Sequence, residues 1–434
     1  MLAIKGGKSV ISNPMAVHKP YPQIGENEHK YINQVLQSGK LWGTWAPMVT
    51  ELEDKWANFI NTKYCLAVCS GTSALHCAIY GCGVQPSDEV IVPAYSFIAT
   101  ASTVLMANAI PIFADVDING NICLASIEKN INEKTKAIIV VHIHGLPANI
   151  FAIKEIAKKH NLLIIEDCSQ AHGAEINGIR VGSIGDIGTF SLNATKVLAG
   201  GEGGLITTNN EPIFNRIAKM RVFGMEIQNY KRFYRDADGL GYNYRISEFC
   251  AAFALARFEQ FEKEQLLRIE NVNYFLNGIK DLKGIFFDKV EDNKLHIYQL
   301  LRLRLLPNAI GISLDVEVFR YRLLLALERE GCFFWVWEGK SLPAYKIFQN
   351  KNIDGGGLPW MLHNSRKNIS YEIKQYPNSN QIVLDSIFTT SHYPPNDKTL
   401  MESYIKAFRK IWNNLDDVIN LNEYPPNSNY VTPF

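Results

Sequence analysis

From about residue 64 the chain alternates short, near-continuous runs of Val, Ile and Leu with segments of helical spacing. That pattern constrains the fold more than any other feature. The runs cover residues 65–69, 89–93, 110–114, 137–142, 162–166, 189–192 and 204–208, with helical patterns at 73–80, 98–106 and 151–160 between them. Strands that are apolar on both faces need cover on both faces. The expected architecture is therefore α/β, a mostly parallel central sheet with helices on each side. Such sheets bind ligands beyond the carboxyl ends of their strands, which makes residues at or just after these seven ends the first candidates for function.

At 434 residues the chain exceeds one simple core. The texture changes near residue 270, which predicts a large domain over 1–270 and a smaller α+β domain over 271–434. In the first, residues 20–62 read as helical around an aromatic, glycine-containing loop with Trp42 and Trp45. Residues 226–240 read as a charged loop. In the second, strands are expected over 295–306, a helix over 316–330, loops at 350–358 and 376–381, and a loose tail at 424–434.

A net charge of +1 supplies no basic field, so nucleic acid is not an expected partner. No apolar stretch reaches the roughly 18 residues of a membrane helix, and the start lacks the apolar core of a secretion signal. The expected setting is cytoplasmic. Of eight cysteines, Cys65, Cys69, Cys77 and Cys82 fall early without zinc spacing. They read as small buried hydrophobes, and no metal site is expected.

Two strand ends carry the chemistry. Asp167 closes the run at 162–166, where a carboxylate is costly unless something pairs with it. Lys196 follows the next run, directly before Gly200, Gly201, Gly203 and Gly204. A lysine able to form a Schiff base, a carboxylate for a pyridinium nitrogen and the nearby Ser191 hydroxyl are what pyridoxal 5′-phosphate requires. Upstream, Ser70-Gly71-Thr72-Ser73 leads from a strand into a helix, a place where free N–H groups suit a phosphate. Phe97, after the run at 89–93, can stack on a pyridine ring or simply pack in the core. Gln170 and His172 can reach the cofactor's rim, although His172 equally suits a structural role.

The motifs Ser70-Gly-Thr-Ser-Ala-Leu75, Glu166-Asp-Cys-Ser-Gln-Ala-His-Gly173, Phe190-Ser-Leu-Asn-Ala-Thr-Lys196, Gly201-Glu-Gly-Gly204 and Gly241-Tyr-Asn-Tyr-Arg-Ile-Ser-Glu248 resemble, in order and spacing, the DegT/DnrJ/EryC1/StrS sugar aminotransferases. The resemblance is firm over about residues 20–270. It implies the aspartate-aminotransferase fold (type I), pyridoxal 5′-phosphate as cofactor and a homodimer with shared active sites. It also implies Lys196 as the Schiff-base lysine, Asp167 as the pyridinium partner, Gln170 near the ring oxygen and Phe97 on the ring. Gly71, Thr72, Ser73 and Ser191 would hold the phosphate, and Asn243 would reach it from the neighbouring subunit.

The implied reaction is amino transfer, with L-glutamate as donor, onto a sugar carbonyl in surface-polysaccharide or lipopolysaccharide biosynthesis. Candidate acceptors are a nucleotide-linked keto-sugar and a free oxidised 3-deoxy-octulosonate. Alternatives are cyclitol amination and dehydration or aromatisation of the aminohydroxybenzoate synthase type. A sugar acid calls for a cation, for which Arg221, Arg232, Arg235 and Arg245 are available. The segment Phe333-Phe-Trp-Val-Trp337 either borders the pocket or is a buried strand of the small domain.

Overall fold

The computed structural model describes residues 1–44, 46–228, 232–353 and 355–425, with the side chains of 226–228 and 232–235 excepted. Seven strands form the central sheet: β1 (Tyr64–Val68), β2 (Glu89–Pro93), β3 (Ile110–Ala114), β4 (Thr135–Val141), β5 (Leu163–Asp167), β6 (Ile187–Ser191) and β7 (Gly204–Thr208). In space they run β1-β7-β6-β5-β4-β2-β3. Every pairing from β3 through β6 is parallel, and β7 runs antiparallel to both β1 and β6. Six strands therefore share one direction, and their carboxyl ends share one edge of the sheet.

That edge is where the helix α3 (Gly71–Gly81) begins, after α1 (Glu26–Ser38) and α2 (Pro47–Ile60) earlier in the chain. The Ser70 side chain accepts from Ser73 N–H, and the Ser73 hydroxyl accepts from Ser70 N–H, so a reciprocal cap fixes the first turn of α3. Helix α4 (Ala99–Met106) follows β2. Val, Ile and Leu of the strands are buried on both faces, as in Val90, Ile91, Ile138 and Ile139.

A second core gathers around a three-stranded antiparallel sheet of Ile285–Phe287, Leu301–Leu305 and Ser386–Thr389, packed by α5 (Phe261–Ile279), α6 (Val316–Arg329) and α7 (Lys398–Trp412). The expected division near residue 270 is not a simple cut of the chain. Leu2 and Ile11 belong to this second core, while Phe348, Trp360 and Tyr371 pack onto the first.

Two expected loops are partly structured. Met225–Gln228 and Arg232–Ala237 pair as antiparallel strands, and Pro377–Asp385 is a helix. All eight cysteines are free, with Cys65, Cys77, Cys168 and Cys332 buried. Trp42 makes a backbone bridge to Ser247, and Trp45 lies outside the described residues. No helix among the described residues is long and apolar enough to cross a membrane.

Candidate active site

A cavity of about 680 Å³ opens at the carboxyl edge of the sheet, between the two cores. Gly71, Thr72, Phe97, Asp167, Gln170, Ser191 and Lys196 all line it. The topology explains the convergence. These residues lie at the ends of β1, β2, β5 and β6, or in the turns that leave them.

Asp167 is 4% exposed and held from two sides: Thr100 Oγ1 donates to Oδ2 at 3.1 Å and Ser169 N–H donates to Oδ1 at 3.1 Å. Among the described residues both of its hydrogen-bond donors are neutral, which leaves the carboxylate available to a positive group bound beside it. Gln170 accepts from His144 N–H through Oε1 at 2.7 Å, which leaves Nε2 as the donor end of the amide.

Lys196 sits in the turn from β6 to β7, which is closed by Ala194 N–H to the Gly201 carbonyl at 2.9 Å. Burial lowers its pKa below the ordinary lysine value, and Asp167 opposes that shift through its charge. Two groups with no conspicuous sequence signal hold this turn. Tyr21 donates to the Val197 carbonyl at 2.8 Å and to that of Lys196 at 3.2 Å. Gln299 accepts from Val197 N–H at 3.1 Å and donates to the Thr195 carbonyl at 3.0 Å. A reactive side chain is only as well placed as its backbone, and both partners come from far along the chain.

At the opposite end of the cavity's cofactor wall, the start of α3 touches Ser191. A Cβ on Gly71 would stand 2.8 Å from Ser191 Cβ, so only glycine permits this approach. The first turn of α3 and the Ser191 hydroxyl thus lie side by side, an arrangement that suits an anion such as phosphate. Phe97 is 54% exposed and lines the cavity, which separates it from the core-packing alternative. A lysine amine, an acceptor carboxylate, an amide donor, an aromatic face and an anion cradle thus fit pyridoxal 5′-phosphate group by group.

Other candidates fall elsewhere. Ser73 is not on the cavity wall; its hydroxyl is committed to the helix cap, donating to the Ser70 carbonyl at 2.8 Å. His172 is buried edge-on against Trp56 and near Phe190, with its pKa pushed down to about 3 mainly by burial. Asn243 is exposed and not on the cavity wall. Arg221 is buried against Glu53 at 2.6 Å and the Ala67 carbonyl at 3.0 Å, and Arg245 lies over the Phe223 ring. Neither is on the cavity wall, and the side chains of Arg232 and Arg235 lie outside the description. Besides Lys196, Lys19 is the cation among the described residues that lines the cavity.

A buried trio, His142, Glu166 and Cys168, brings ligand atoms within 4.8 Å of one another on the other side of β5. Glu166 already accepts from Gly182, Ile184 and Gly185 N–H groups and from His142 Nε2 at 3.0 Å. Those contacts occupy the lone pairs that a metal would need.

The chain is similar to known aminotransferases. The chain is 28% identical over 372 residues to the GDP-perosamine synthase of Vibrio cholerae, covering 82% of this chain and 98% of that one. It is 35% identical to the L-glutamine:2-deoxy-scyllo-inosose aminotransferase of Streptoalloteichus tenebrarius, over 65% of this chain and 69% of that one. The crystal structure of an aminotransferase from Psychrobacter cryohalolentis superposes with a TM-score of 0.78 at 26% identity, covering 92% and 100% of the two chains. The sequence profile of one family spans residues 22–331, and the chain belongs to the DegT/DnrJ/EryC1/StrS aminotransferase family.

Proposed function

We propose that this protein transfers an amino group from L-glutamate to a carbonyl on a sugar or cyclitol ring, in the biosynthesis of a bacterial surface polysaccharide. The observation that carries the reading is the meeting of Lys196, Asp167, Gln170 and Phe97 on one wall of a single cavity. The names of the relatives, a perosamine synthase and a cyclitol aminotransferase, support a ring acceptor.

Bound pyridoxal 5′-phosphate supplies the electron sink that lets the donor's Cα–H bond ionise. The residues do the rest. Asp167 would pair with the protonated ring nitrogen. Gln170 Nε2 would donate to the ring oxygen, and Phe97 would cover a ring face. The first N–H groups of α3, with the Thr72 and Ser191 hydroxyls, would hold the phosphate. Lys196 would anchor the cofactor, and its Nζ would take the proton at the donor's Cα. The lowered pKa suits that role, because a larger fraction of the amine is then neutral at working pH.

A homodimer belongs to the same reading, with Asn243 of one subunit completing the phosphate site of the other. Its exposure supports that use. The test is spectroscopic. Protein loaded with cofactor is mixed with L-glutamate, then with L-glutamine, and the visible band of the lysine-bound cofactor is followed. Its loss on adding either donor, and its return with 2-deoxy-scyllo-inosose or another ring ketone, is the expected result. A band that ignores both amino acids sinks the proposal.

A further inference from the structure

The cavity has two halves with different origins in the sequence. The half described above, from Ser70 to Leu300, falls inside the family-matching span of residues 22–331. The other half falls outside it on both sides: His18, Lys19 and Tyr21 precede the span, and Phe333, Trp335 and Trp337 follow it. The residues that face the cofactor wall thus come from segments on either side of that span.

That wall is an aromatic stripe on an extended segment. Phe333, Trp335 and Trp337 line the cavity at alternate positions, while Phe334 and Val336 turn the other way and are buried. Both expected readings of this segment therefore apply, each to one face. Trp335 exchanges two backbone hydrogen bonds of 2.9 Å with Phe388, which fixes the alternation by pairing it to the edge of the small sheet.

The stripe is also braced. Tyr404, from α7, is fully buried and places its hydroxyl at a junction of three cavity segments. It accepts from Phe333 N–H at 2.8 Å, lies 2.7 Å from Ser391 Oγ and lies 2.9 Å from His18 Nε2. His18 in turn packs on Phe333, with ring centroids 4.3 Å apart. Lys19 N–H is held by Asn396 Oδ1 at 2.9 Å. Trp337 stands edge-on to Tyr95 and His144, the residue whose N–H orients Gln170. Rings held this firmly give up little conformational freedom when something flat is laid on them.

We propose that Phe333, Trp335 and Trp337 form an acceptor subsite that binds a six-membered polyol ring by its C–H face, and so set which acceptor this enzyme takes. The inference rests on the ring-acceptor reading above and adds the residues that recognise the ring. Flat indole and phenyl faces exclude water over an area that matches the apolar face of such a ring. The ring's hydroxyls, at its rim, point to the polar groups around the stripe, such as Ser391 and Asn396.

The experiment is saturation-transfer NMR on the holoenzyme, with 2-deoxy-scyllo-inosose and methyl α-D-mannopyranoside as probes. Saturation should concentrate on the C–H protons of one ring face. It should fall at least fivefold in Trp335→Ala and recover in Trp335→Phe. Phe333→Ala, at a more exposed position, gives the same readout with less risk to folding, and the visible cofactor band reports that each variant is intact. No saturation of either probe in the wild-type protein, or equal saturation in the alanine variants, overturns the subsite. If L-glutamate and L-glutamine leave the cofactor band unchanged while ring saturation persists, amino transfer fails and the subsite stands. Loss of the ring signal alongside a normal donor response condemns the subsite alone.

Discussion

A single methyl group placed at residue 71 would separate the two halves of the phosphate cradle. In Gly71→Ala the new Cβ meets Ser191 Cβ at 2.8 Å, so α3 or the end of β6 must move. Cofactor affinity should fall tenfold or more, read by equilibrium dialysis. Ser73→Ala removes a capping hydroxyl rather than a cradle wall. It should cost about 1 kcal/mol of stability and weaken the cofactor far less than Gly71→Ala does. Lys196→Ala should fold, bind cofactor without a borohydride-trappable link and lose about 10²–10⁴-fold in turnover. Lys196, Asp167 and Gly71 are legible in the sequence because their signals are local: a strand end, a glycine run, a helix start. Arg221 is not, since its partner Glu53 lies 168 positions away and nothing near it marks it as a buried ion pair. Tyr21 and Gln299 act through backbone carbonyls and amides of the lysine turn, and such bonds leave no pattern in composition.

Among the elements, the strands of the central sheet match their apolar runs to within a residue or two, because a strand buried on both faces is mostly apolar along its length. The helix Pro377–Asp385 hides for the opposite reason. Its first turn is Pro-Asn-Ser-Asn, turn-like in composition, and its helical character comes from burying Ile382 and Val383 against the rest of the molecule. The stretch 342–376 is similarly illegible, since it is held by distant partners. Tyr371 donates to the Pro111 carbonyl at 2.8 Å, and Arg366 meets the fully buried Glu89 through Nε at 2.8 Å and Nη2 at 3.1 Å. Arg366→Ala leaves Glu89 with Asn132 as its remaining side-chain donor. Because Arg366 is itself 41% exposed, the expected loss is about 1–3 kcal/mol rather than the larger figure of a wholly buried pair. A lowered midpoint in urea checks it. Nearby, burial raises Glu338 to about 7, with the Tyr345 hydroxyl opposing at 2.8 Å. A carboxyl raised in the folded state makes stability fall as pH climbs from about 4.5 to about 7. Glu338→Gln should therefore melt higher than wild type at pH 8 and show little difference at pH 4.

Across the whole molecule, the two cores meet along a seam of neutral, buried imidazoles. His392 donates from Nε2 to the Tyr298 carbonyl at 2.8 Å, His296 stacks on Tyr298 with centroids 3.8 Å apart, and Arg268 donates to the Ile297 carbonyl at 2.8 Å. Gln299 and Tyr393, which flank these residues, line the cavity, so the seam and the site share a wall. Burial pushes His296 and His392 down to about 3, and His172 in the large core likewise. Each binds a proton more readily unfolded than folded. Stability is therefore whole above the ordinary histidine value near 6.5 and is lost as pH falls from there towards 3, by at most about 1.4 kcal/mol per pH unit for each group. The melting temperature should drop steeply between pH 6.5 and 4. His172→Phe, which fills the same aromatic box of Trp56 and Phe190 without a titrating nitrogen, should flatten part of that slope. Acid acts on the reaction separately. Protonated Lys196 cannot accept the donor's proton, so the rate should decline on acidification even where calorimetry finds the protein fully folded. If rate and melting temperature instead fall in strict parallel in wild type and in His172→Phe, the acid limb belongs to the seam and not to the lysine.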